Sequence, residues 1–350
     1  MKFSPKMSRG LSAWGDKILQ EEKKGGVLDW NPELARQFKH AFDTDLERML
    51  HDKYFLGLRD IPSGTVTPVE NAIYPVHKDD ILAIYEEKKK RQISLVIFIE
   101  GIGSGKSTKY SVLTFLEWFN LTCKFNPQGY YGMLDEEVIA FISMNRSEAQ
   151  AKRVTLQKIF PKFKTKFNME YFPPSKRRGQ EIWIPRNNTL VFAGTSSAAS
   201  ALGYNIFGGG VDEANFLEVV EGGRRNQSSN EKYDAAEEMH NAMFNRMSSR
   251  FINPYNGLLD GMLFMFSSPR YPDDFLERMA RKHLQLGENS HIFVRRRSVW
   301  DAKPKFYYSG IKVPFNLKTN KVEATEDELG ALMKEAENIK RERTATPVEA

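Results

Sequence analysis

A short glycine-rich segment constrains the fold of this chain more than any other feature of its sequence. The segment follows the apolar run Ser94–Ile99 directly and reads Glu100-Gly101-Ile102-Gly103-Ser104-Gly105-Lys106-Ser107-Thr108. A strand, a glycine-rich turn and then a helix together hold phosphate groups, because the glycines let successive backbone N–H groups turn toward the oxygens. The positive end of the following helix adds to that attraction. The sequence therefore predicts a phosphate-binding loop inside an α/β fold.

The residues of this loop have separate predicted roles. The cofactor-binding set is Gly101, Gly103, Ser104, Gly105, Lys106, Ser107 and Thr108. Lys106 is expected to reach the β- and γ-phosphates, and the Ser107 hydroxyl is expected to ligate Mg²⁺. The first position departs from the usual pattern, because Glu100 stands where glycine is common. We predict ATP and Mg²⁺ as the cofactors.

Beyond residue 94, short apolar runs alternate with longer amphipathic stretches. The runs are apolar throughout, which is typical of strands covered on both faces in a parallel sheet. Candidate strands are Ser94–Ile99, Val138–Ile142, Thr189–Ala193, Ile206–Val211 and Met262–Phe266, with candidate helices at Lys106–Phe119, Ser147–Phe160 and Tyr233–Phe251. We predict an α/β fold with a central, mostly parallel sheet flanked by helices.

The two ends of the chain have a different pattern. Apolar residues between Leu34 and Leu56 recur at three- and four-residue steps, which indicates a helix with one buried stripe. A second helix is expected over Asp79–Arg91, and a third over Thr325–Arg343, opened by a capping box of Thr325 with Glu328. We therefore divide the chain into a helical N-terminal segment (1–92), a catalytic core (93–300) and a C-terminal lid or linker segment (301–350).

Two adjacent acids end one of the predicted strands, at Val211-Asp212-Glu213. Beside a phosphate loop, Asp212 is expected to support Mg²⁺ through water. Glu213 is expected to act as a general base on the attacking water, which distinguishes a hydrolase from a nucleotide kinase. A further strand ends in Ser267-Ser268-Pro269, and its hydroxyl groups are suited to sensing the γ-phosphate.

The order of these pieces resembles the large terminase family of tailed bacteriophages, from about Ser94 to Pro304. Beside the loop, the resemblance rests on Ser143–Ala151, on Ser200–Asn205 leading into Val211–Phe216, and on Ser267–Arg270. It implies a P-loop NTPase of the class with an additional catalytic glutamate. By position it assigns Lys106 and Ser107 to nucleotide and metal, Asp212 to the metal and Glu213 to water. It assigns Ser267 and Ser268 to coupling between hydrolysis and movement.

The resemblance also implies a role and partners. The role is ATP hydrolysis that drives double-stranded DNA into a viral procapsid, independently of DNA sequence. The implied partners are the portal protein, the small terminase subunit and further copies of the chain in a ring. The implied location is the host cytoplasm, transiently at the procapsid portal vertex. A membrane is not expected, because no apolar run is long enough to cross one.

The chain departs from this family in two respects. Terminases often carry an arginine inside the phosphate loop, whereas this chain has Ile102 there, with Gly101 beside it. Candidates for an arginine finger elsewhere are Arg146, Arg246, Arg250 and Arg270, of which we favour Arg250 as a catalytic residue. The acids after Trp300 follow a helical surface pattern, so we expect no nuclease domain in this segment.

Charge and composition leave further alternatives open. The net charge of +6 is compatible with a polyanionic partner, and Pro161–Arg178 interleaves basic and aromatic residues that could touch DNA or could pack inward in an ordinary loop or hairpin. Arg295-Arg296-Arg297 could similarly belong to an edge strand. Other functions also remain open: a helicase-like or recombination ATPase, or a scaffold that binds nucleotide in order to assemble. The scattered histidines and the single Cys123 predict neither structural zinc nor a disulfide.

Overall fold

The computed structural model describes residues 28–61, 71–177, 181–194, 203–217, 219–220, 233–303 and 321–345, together with 308, 311, 313 and 315–316. The beginning of the motif Ser200–Asn205 and the last residue of the basic segment Pro161–Arg178 lie outside these ranges.

An eight-stranded sheet forms the centre of the fold. The strands are β1 Leu95–Glu100, β2 Ile139–Met144, β3 Ser175–Arg177, β4 Glu181–Ile184, β5 Thr189–Ala193, β6 Asn205–Asp212, β7 Met262–Ser267 and β8 Ile292–Arg297. Their order across the sheet is β8-β1-β7-β6-β2-β5-β4-β3.

Six neighbouring strands of this sheet, from β8 to β5, run parallel, and only β4 and β3 are antiparallel. The strand before the glycine-rich loop, β1, is separated from the strand that ends in the acids, β6, by β7 alone. The carboxyl ends of parallel strands meet at one edge of a sheet. The loop, the Ser267-Ser268 pair and the Asp212-Glu213 pair therefore lie together at that edge.

Helices cover the sheet and extend the chain at both ends. They are α1 Pro32–Thr44, α2 Leu46–His51, α3 Pro75–Lys90, α4 Lys106–Thr122, α5 Pro127–Tyr130, α6 Glu148–Val154, α7 Lys166–Tyr171, α8 Ala235–Arg250, α9 Phe275–Leu286, α10 Val299–Ala302 and α11 Glu326–Ala345. Within the described ranges, three two-residue ladders lie outside the main sheet: Arg59–Asp60 with Ala72–Ile73, Val219–Val220 with Tyr233–Asp234, and Phe315–Asn316 with Lys321–Val322. No helix within the described ranges is long and apolar enough to span a bilayer.

The helix after the loop, α4, is buried nearly all round, which is why its sequence lacks a single apolar stripe. One side of α4 packs on the sheet, where the Tyr110 ring lies 5.1 Å from that of Phe266. The N-terminal segment covers another side, with Phe55 4.6 Å and Phe42 5.8 Å from the Phe119 ring. The N-terminal helices therefore share one hydrophobic core with the sheet.

The five predicted strands are all present, each within two residues of its predicted start and end. The long N-terminal helix was predicted without its break at Asp45, which separates α1 from α2. The predicted helix Ser147–Phe160 is regular only over α6, after which the chain forms a π-helical turn at Thr155–Ile159. The helix α11 begins after Thr325, where both hydrogen bonds of the predicted capping box are formed.

Three consecutive glycines in β6 are required by the close packing of its neighbours. Gly209 has a φ of +126°, and a Cβ atom there would lie 2.0 Å from the carbonyl oxygen of Ile142. At Gly210 a Cβ would lie 2.3 Å from the carbonyl oxygen of Phe264. Side chains at these positions would separate β6 from β2 on one side and from β7 on the other. The glycines thus hold the acid-bearing end of β6 in place.

Candidate active site

The glycine-rich loop turns from β1 into α4 through two residues in the left-handed region of backbone conformation. These are Gly103, with φ +78°, and Gly105, with φ +95°. Residues with a Cβ rarely adopt this conformation, so both positions favour glycine. Gly101 is constrained differently, because a Cβ there would lie 3.1 Å from the backbone nitrogen of Val299 at the start of α10. Ile102, at the tip, is 79% exposed.

Lys106 is the first residue of α4, and its side chain turns back toward the start of the glycine-rich loop. Its ammonium group donates to the carbonyl oxygens of Glu100 at 3.1 Å and Gly101 at 3.3 Å, and to the Ser268 hydroxyl at 3.0 Å. It also lies 4.0 Å from a carboxylate oxygen of Glu213. One cation therefore contacts the loop, the end of β7 and the acid pair after β6.

Asp212 and Glu213 lie directly beside the start of α4. The Ser107 hydroxyl donates to the Asp212 carboxylate at 3.3 Å, and the Asn145 amide lies 3.5 Å from the same oxygen. The other oxygen of Asp212 accepts from the backbone N–H of Glu213 at 3.1 Å. Glu213 has a φ of +57°, which is strained for a residue with a side chain and is typical of functional sites.

The surroundings of Asp212 disfavour its ionised form. Burial, and then the neighbouring Glu213, raise the pKa of Asp212 to about 6, although Lys106 and Ser107 act in the opposite direction. One carboxylate oxygen of Glu213 is buried and has no hydrogen-bond partner within the described residues. Carboxylate and hydroxyl oxygens are the ligands that Mg²⁺ prefers, usually with several waters. The Ser107 and Asp212 side chains therefore fit a magnesium site, with Glu213 beside it.

The end of β7 joins the phosphate loop to the segment after the acids. The Ser268 hydroxyl accepts from Lys106, as described above. The Ser267 hydroxyl accepts from the backbone N–H of Asn215 at 3.0 Å, and the Asn215 amide donates to the carbonyl oxygen of Ser268 at 3.2 Å. All three side chains are buried. The predicted coupling residues Ser267 and Ser268 thus contact both halves of the site.

The candidate arginines lie at different ends of the sheet. Arg146 and Arg270 follow β2 and β7 at the edge that holds the loop, and both are exposed. Arg250 is the last residue of α8 and lies at the opposite edge of the sheet. The carbonyl oxygen of the next residue, Phe251, accepts from the backbone N–H of Asp260, which stands just before the start of β7. A single chain therefore does not bring Arg250 to its own loop, and Arg246 lies on the same half of α8 as Arg250.

A buried ionic cluster behind the loop was not anticipated from the sequence. Lys109 of α4 is fully buried and donates to Asp80 of α3 at 2.9 Å and to Glu100. Asp80 also accepts from Arg297 of β8 at 2.7 Å. The Ser104 hydroxyl donates to Glu100 at 3.0 Å, which ties the cluster to the loop. The only sequence signal was the acid at Glu100 in a position where glycine is usual.

A histidine contact links this cluster to the backbone of the loop. The ring Nε2 of His77 donates to the Ser104 carbonyl oxygen at 2.5 Å. Burial, followed by the charge of Lys109, lowers the pKa of His77 to about 4, so the ring is neutral at pH 7. His77, Asp80 and Glu100 are close enough to suggest a metal site. The Lys109 ammonium already lies between the two carboxylates, so the cluster is complete without a metal.

The two basic segments noted in the sequence have structural partners. In Pro161–Arg178 the aromatic residues Phe163, Phe167, Tyr171 and Phe172 are buried, as in the inward-packed alternative, although the segment forms a 3₁₀ turn and a helix before β3. Arg295–Arg297 belong to β8, which is an edge strand. Arg296 pairs with Glu277 and Arg297 pairs with Asp80, so both charges are compensated.

Comparison with known proteins gives the family. A protein family described as "Uncharacterized protein MJ0330, N-terminal P-loop domain" matches residues 44–326. The chain belongs to this P-loop family. Its fold is that of a P-loop NTPase, which implies nucleotide binding. The match begins inside the N-terminal segment, in agreement with the core that this segment shares with the sheet.

Similar solved structures come from large terminases of phages. One is the large terminase of a thermophilic bacteriophage, with 11% identity and a TM-score of 0.37, and with 61% of this chain and 42% of that chain covered. Another is the Thermus phage P74-26 large terminase ATPase domain, with 11% identity and a TM-score of 0.36. The match covers 65% of this chain and 82% of that domain. A mutant of that domain gives a TM-score of 0.38 at the same identity.

These likenesses concern the fold alone, because the identity is low. The chain spans less than half of the first of these terminases. No curated protein matches.

Proposed function

We propose that this P-loop domain binds ATP with Mg²⁺ at Gly101–Thr108 and hydrolyses it. The observation that carries the proposal is the meeting of three groups at one edge of the sheet. The Lys106 ammonium nitrogen lies 4.0 Å from a carboxylate oxygen of Glu213, and the Ser107 hydroxyl oxygen lies 3.3 Å from one of Asp212. A phosphate-binding cation, a metal-binding acid and a candidate base are the parts that this reaction needs.

Each side chain has a defined task in this proposal. Mg²⁺, held by Ser107 and Asp212, would neutralise charge on the phosphate oxygens. Lys106 places a positive charge inside the loop, where the β- and γ-phosphates bind. Glu213 takes a proton from the attacking water through its carboxylate, one oxygen of which has no partner within the described residues. The Ser268 hydroxyl accepts a hydrogen bond from Lys106, so the loss of the γ-phosphate would change the contacts of Ser268.

We further propose that hydrolysis moves double-stranded DNA into a viral procapsid, as in the large terminases that the sequence resembles. The motif order and the net charge of +6 support this role. An arginine finger at Arg250 would act on the nucleotide of a neighbouring copy, so this assignment requires a ring of copies. The portal protein and the small terminase subunit are the proposed partners, at the portal vertex in the host cytoplasm.

Two rival functions make different predictions. A helicase-like or recombination ATPase would separate DNA strands, whereas a packaging motor moves an intact duplex. A scaffold that binds nucleotide only to assemble would not need a base beside the loop, so Glu213 favours an enzyme. Triplex displacement along an intact duplex, measured with portal-bearing procapsids and ATP, supports the packaging role, and strand separation by the protein alone supports the first rival.

The variant Glu213→Gln tests the proposed hydrolysis directly. We expect kcat to fall by about 10²–10⁴-fold, the usual contribution of a general base, while ATP binding is retained. The matched control is Glu136→Gln, an exposed position without a side-chain partner in the described structure. Turnover is measured by phosphate release and binding by fluorescent nucleotide. Unchanged turnover in Glu213→Gln would remove the assignment.

A further inference from the structure

A concave cationic surface lies beside α4, away from the nucleotide loop. It encloses a cavity of about 240 Å³ between the segment after α2 and the segment before α7. Its charged lining consists of Lys53, Arg59, Lys162, Lys164 and Lys166, and no acidic residue of the described chain lines it. We call this site the cationic pocket.

Lys162 is the buried member of the cationic pocket. It is only 9% exposed, and its ammonium group contacts the Asn71 side-chain oxygen at 3.4 Å without an ion pair to any described residue. Burial, and then the charge of Lys158, lower the pKa of Lys162. A buried ammonium without a carboxylate is unfavourable, so a bound anion would offset a cost already present in the fold.

The other four cations that line the pocket are exposed. Lys164 lies over the Phe160 ring at 4.7 Å, which limits its freedom. Lys53 and Lys166 have no side-chain partner within the described residues. Several exposed cations around one buried cation suit a chain of phosphates better than a single small anion, since each additional phosphate finds its own partner.

The frame of the pocket is held by the hydrophobic core. The Phe55 ring lies 5.8 Å from that of Phe167, and the backbone N–H of Phe167 donates to the carbonyl oxygen of Tyr54 at 3.0 Å. Phe163 packs on Phe115 of α4 at 5.4 Å. The two segments that carry the cations are therefore fixed relative to each other, and the pocket is preorganised.

One short segment of the chain links the pocket to the glycine-rich loop. Asn71, which contacts Lys162, is followed three residues later by Tyr74, the cap of α3. A carbon of the Tyr74 ring lies 3.3 Å from the position that a Cβ of Gly105 would occupy. A ligand held in the pocket is thus linked by one short segment to the loop that holds ATP.

We propose that the cationic pocket binds phosphates of a nucleic-acid backbone without reading the base sequence. Electrostatic contacts of this kind position a duplex but carry no sequence information. The proposal rests on the proposed function in one respect, the choice of double-stranded DNA as the ligand. A free phosphate ion shares the same chemistry, and the experiment separates the two.

The test uses the full chain without nucleotide and the double variant Lys53→Glu, Lys166→Glu. The control is Lys282→Glu, Lys334→Glu, at two exposed positions elsewhere. Both variants replace two lysines by glutamates, so each lowers the net charge from +6 by four. Binding of a short random-sequence duplex is followed by fluorescence anisotropy between about 50 and 200 mM salt, where each lost phosphate contact lowers the salt slope by about 0.9.

We expect the pocket variant to lose about 1.8 units of salt slope, so that the change in affinity across this salt range shrinks by about tenfold. The control should follow the wild type, and equal melting temperatures should show that all three proteins are folded. Equal weakening in both variants would overturn the proposal, because it would mean a dispersed charge effect. Loss of inorganic phosphate binding with unchanged duplex binding would also overturn it. ATP turnover does not enter this assay, so a failure of the ATPase proposal is seen separately.

Discussion

Replacing Glu100 by glutamine should both destabilise the protein and weaken ATP binding. Glu100 and Asp80 are the two acids of the buried cluster. Lys109 is its buried cation, and Arg297 and Arg295 pair with Asp80 from the partly exposed side. His77 is neutral at pH 7, because its pKa is lowered to about 4. The substitution therefore leaves one uncompensated positive charge in the interior.

The size of the loss follows from the geometry. Lys109 and Asp80, 2.9 Å apart, attract each other by about 6 kcal/mol at an effective dielectric constant of about 20, and this pair survives the substitution. Breaking a buried pair costs about 3–5 kcal/mol, and glutamine still accepts a hydrogen bond from Lys109, so we expect about 3 kcal/mol. The altered contact with Ser104 should cost about 1 kcal/mol in ATP binding, or about a fivefold rise in KM.

The matched control is Glu117→Gln. Glu117 is also fully buried and accepts from Lys88 at 3.0 Å and Tyr85 at 2.9 Å, but it lies three turns along α4 from the loop. We expect this variant to be destabilised while its KM stays at the wild-type value. Stability is measured by urea unfolding, and KM by steady-state phosphate release at a temperature where both variants are folded.

Two results would refute this reasoning. The first is a Glu100→Gln protein as stable as the wild type within about 0.5 kcal/mol, since that is the effect of an ordinary surface substitution. The second is an equal rise in KM for both variants, which would mean that general destabilisation, and not the Ser104 contact, changes nucleotide binding. A double variant with Lys109→Met should recover part of the lost stability, because it removes the uncompensated charge.

Two further outcomes follow from the acid-bearing strand. Asp212→Asn should stabilise the nucleotide-free protein by up to about 3 kcal/mol at pH 8, because burial disfavours the ionised form of Asp212 and raises its folded pKa to about 6. In urea unfolding at several pH values, this gain in the free energy of unfolding should grow as the pH rises from about 4 to 7. A gain that is independent of pH would contradict the reasoning. Gly209→Ala should prevent stable folding, since its Cβ would lie 2.0 Å from the carbonyl oxygen of Ile142. The control Gly132→Ala, also at positive φ but in open space, should lower the free energy of unfolding by only about 1 kcal/mol in thermal unfolding. Similar losses of stability in both variants would show that backbone strain alone is responsible.

The sheet could be predicted from the sequence because its strands are buried on both faces. The runs at Ser94–Ile99 and Met262–Phe266 are apolar throughout, and the structure buries every residue of β1 and β7. The acids and serines could be assigned to one edge because each follows such a run. The order of the strands was not visible, since local sequence does not specify which parallel strands become neighbours.

Other features depend on contacts between distant segments. Asp80, Lys109 and Arg297 look like surface charges in the sequence, and only the packing of α3, α4 and β8 shows that they compensate one another. The cationic pocket combines Lys53 with Lys162, more than a hundred positions later. Its basic segment was noticed, but its aromatic residues were as compatible with a loop as with a core.

The N-terminal segment supports the glycine-rich loop as well as covering the core. Through α3 it supplies Asp80 to the cluster and His77 to the Ser104 carbonyl, so it supports the loop from behind. The same segment supplies Asn71 to the cationic pocket. A rearrangement of the loop on hydrolysis must therefore either strain these contacts or move α3 with it. The pocket shares that segment through Asn71. A shift of α3 would therefore change the positions of the proposed DNA contacts without any rearrangement of the sheet. Under the proposed function, this contact gives the N-terminal helices a physical route from ATP hydrolysis to movement of DNA.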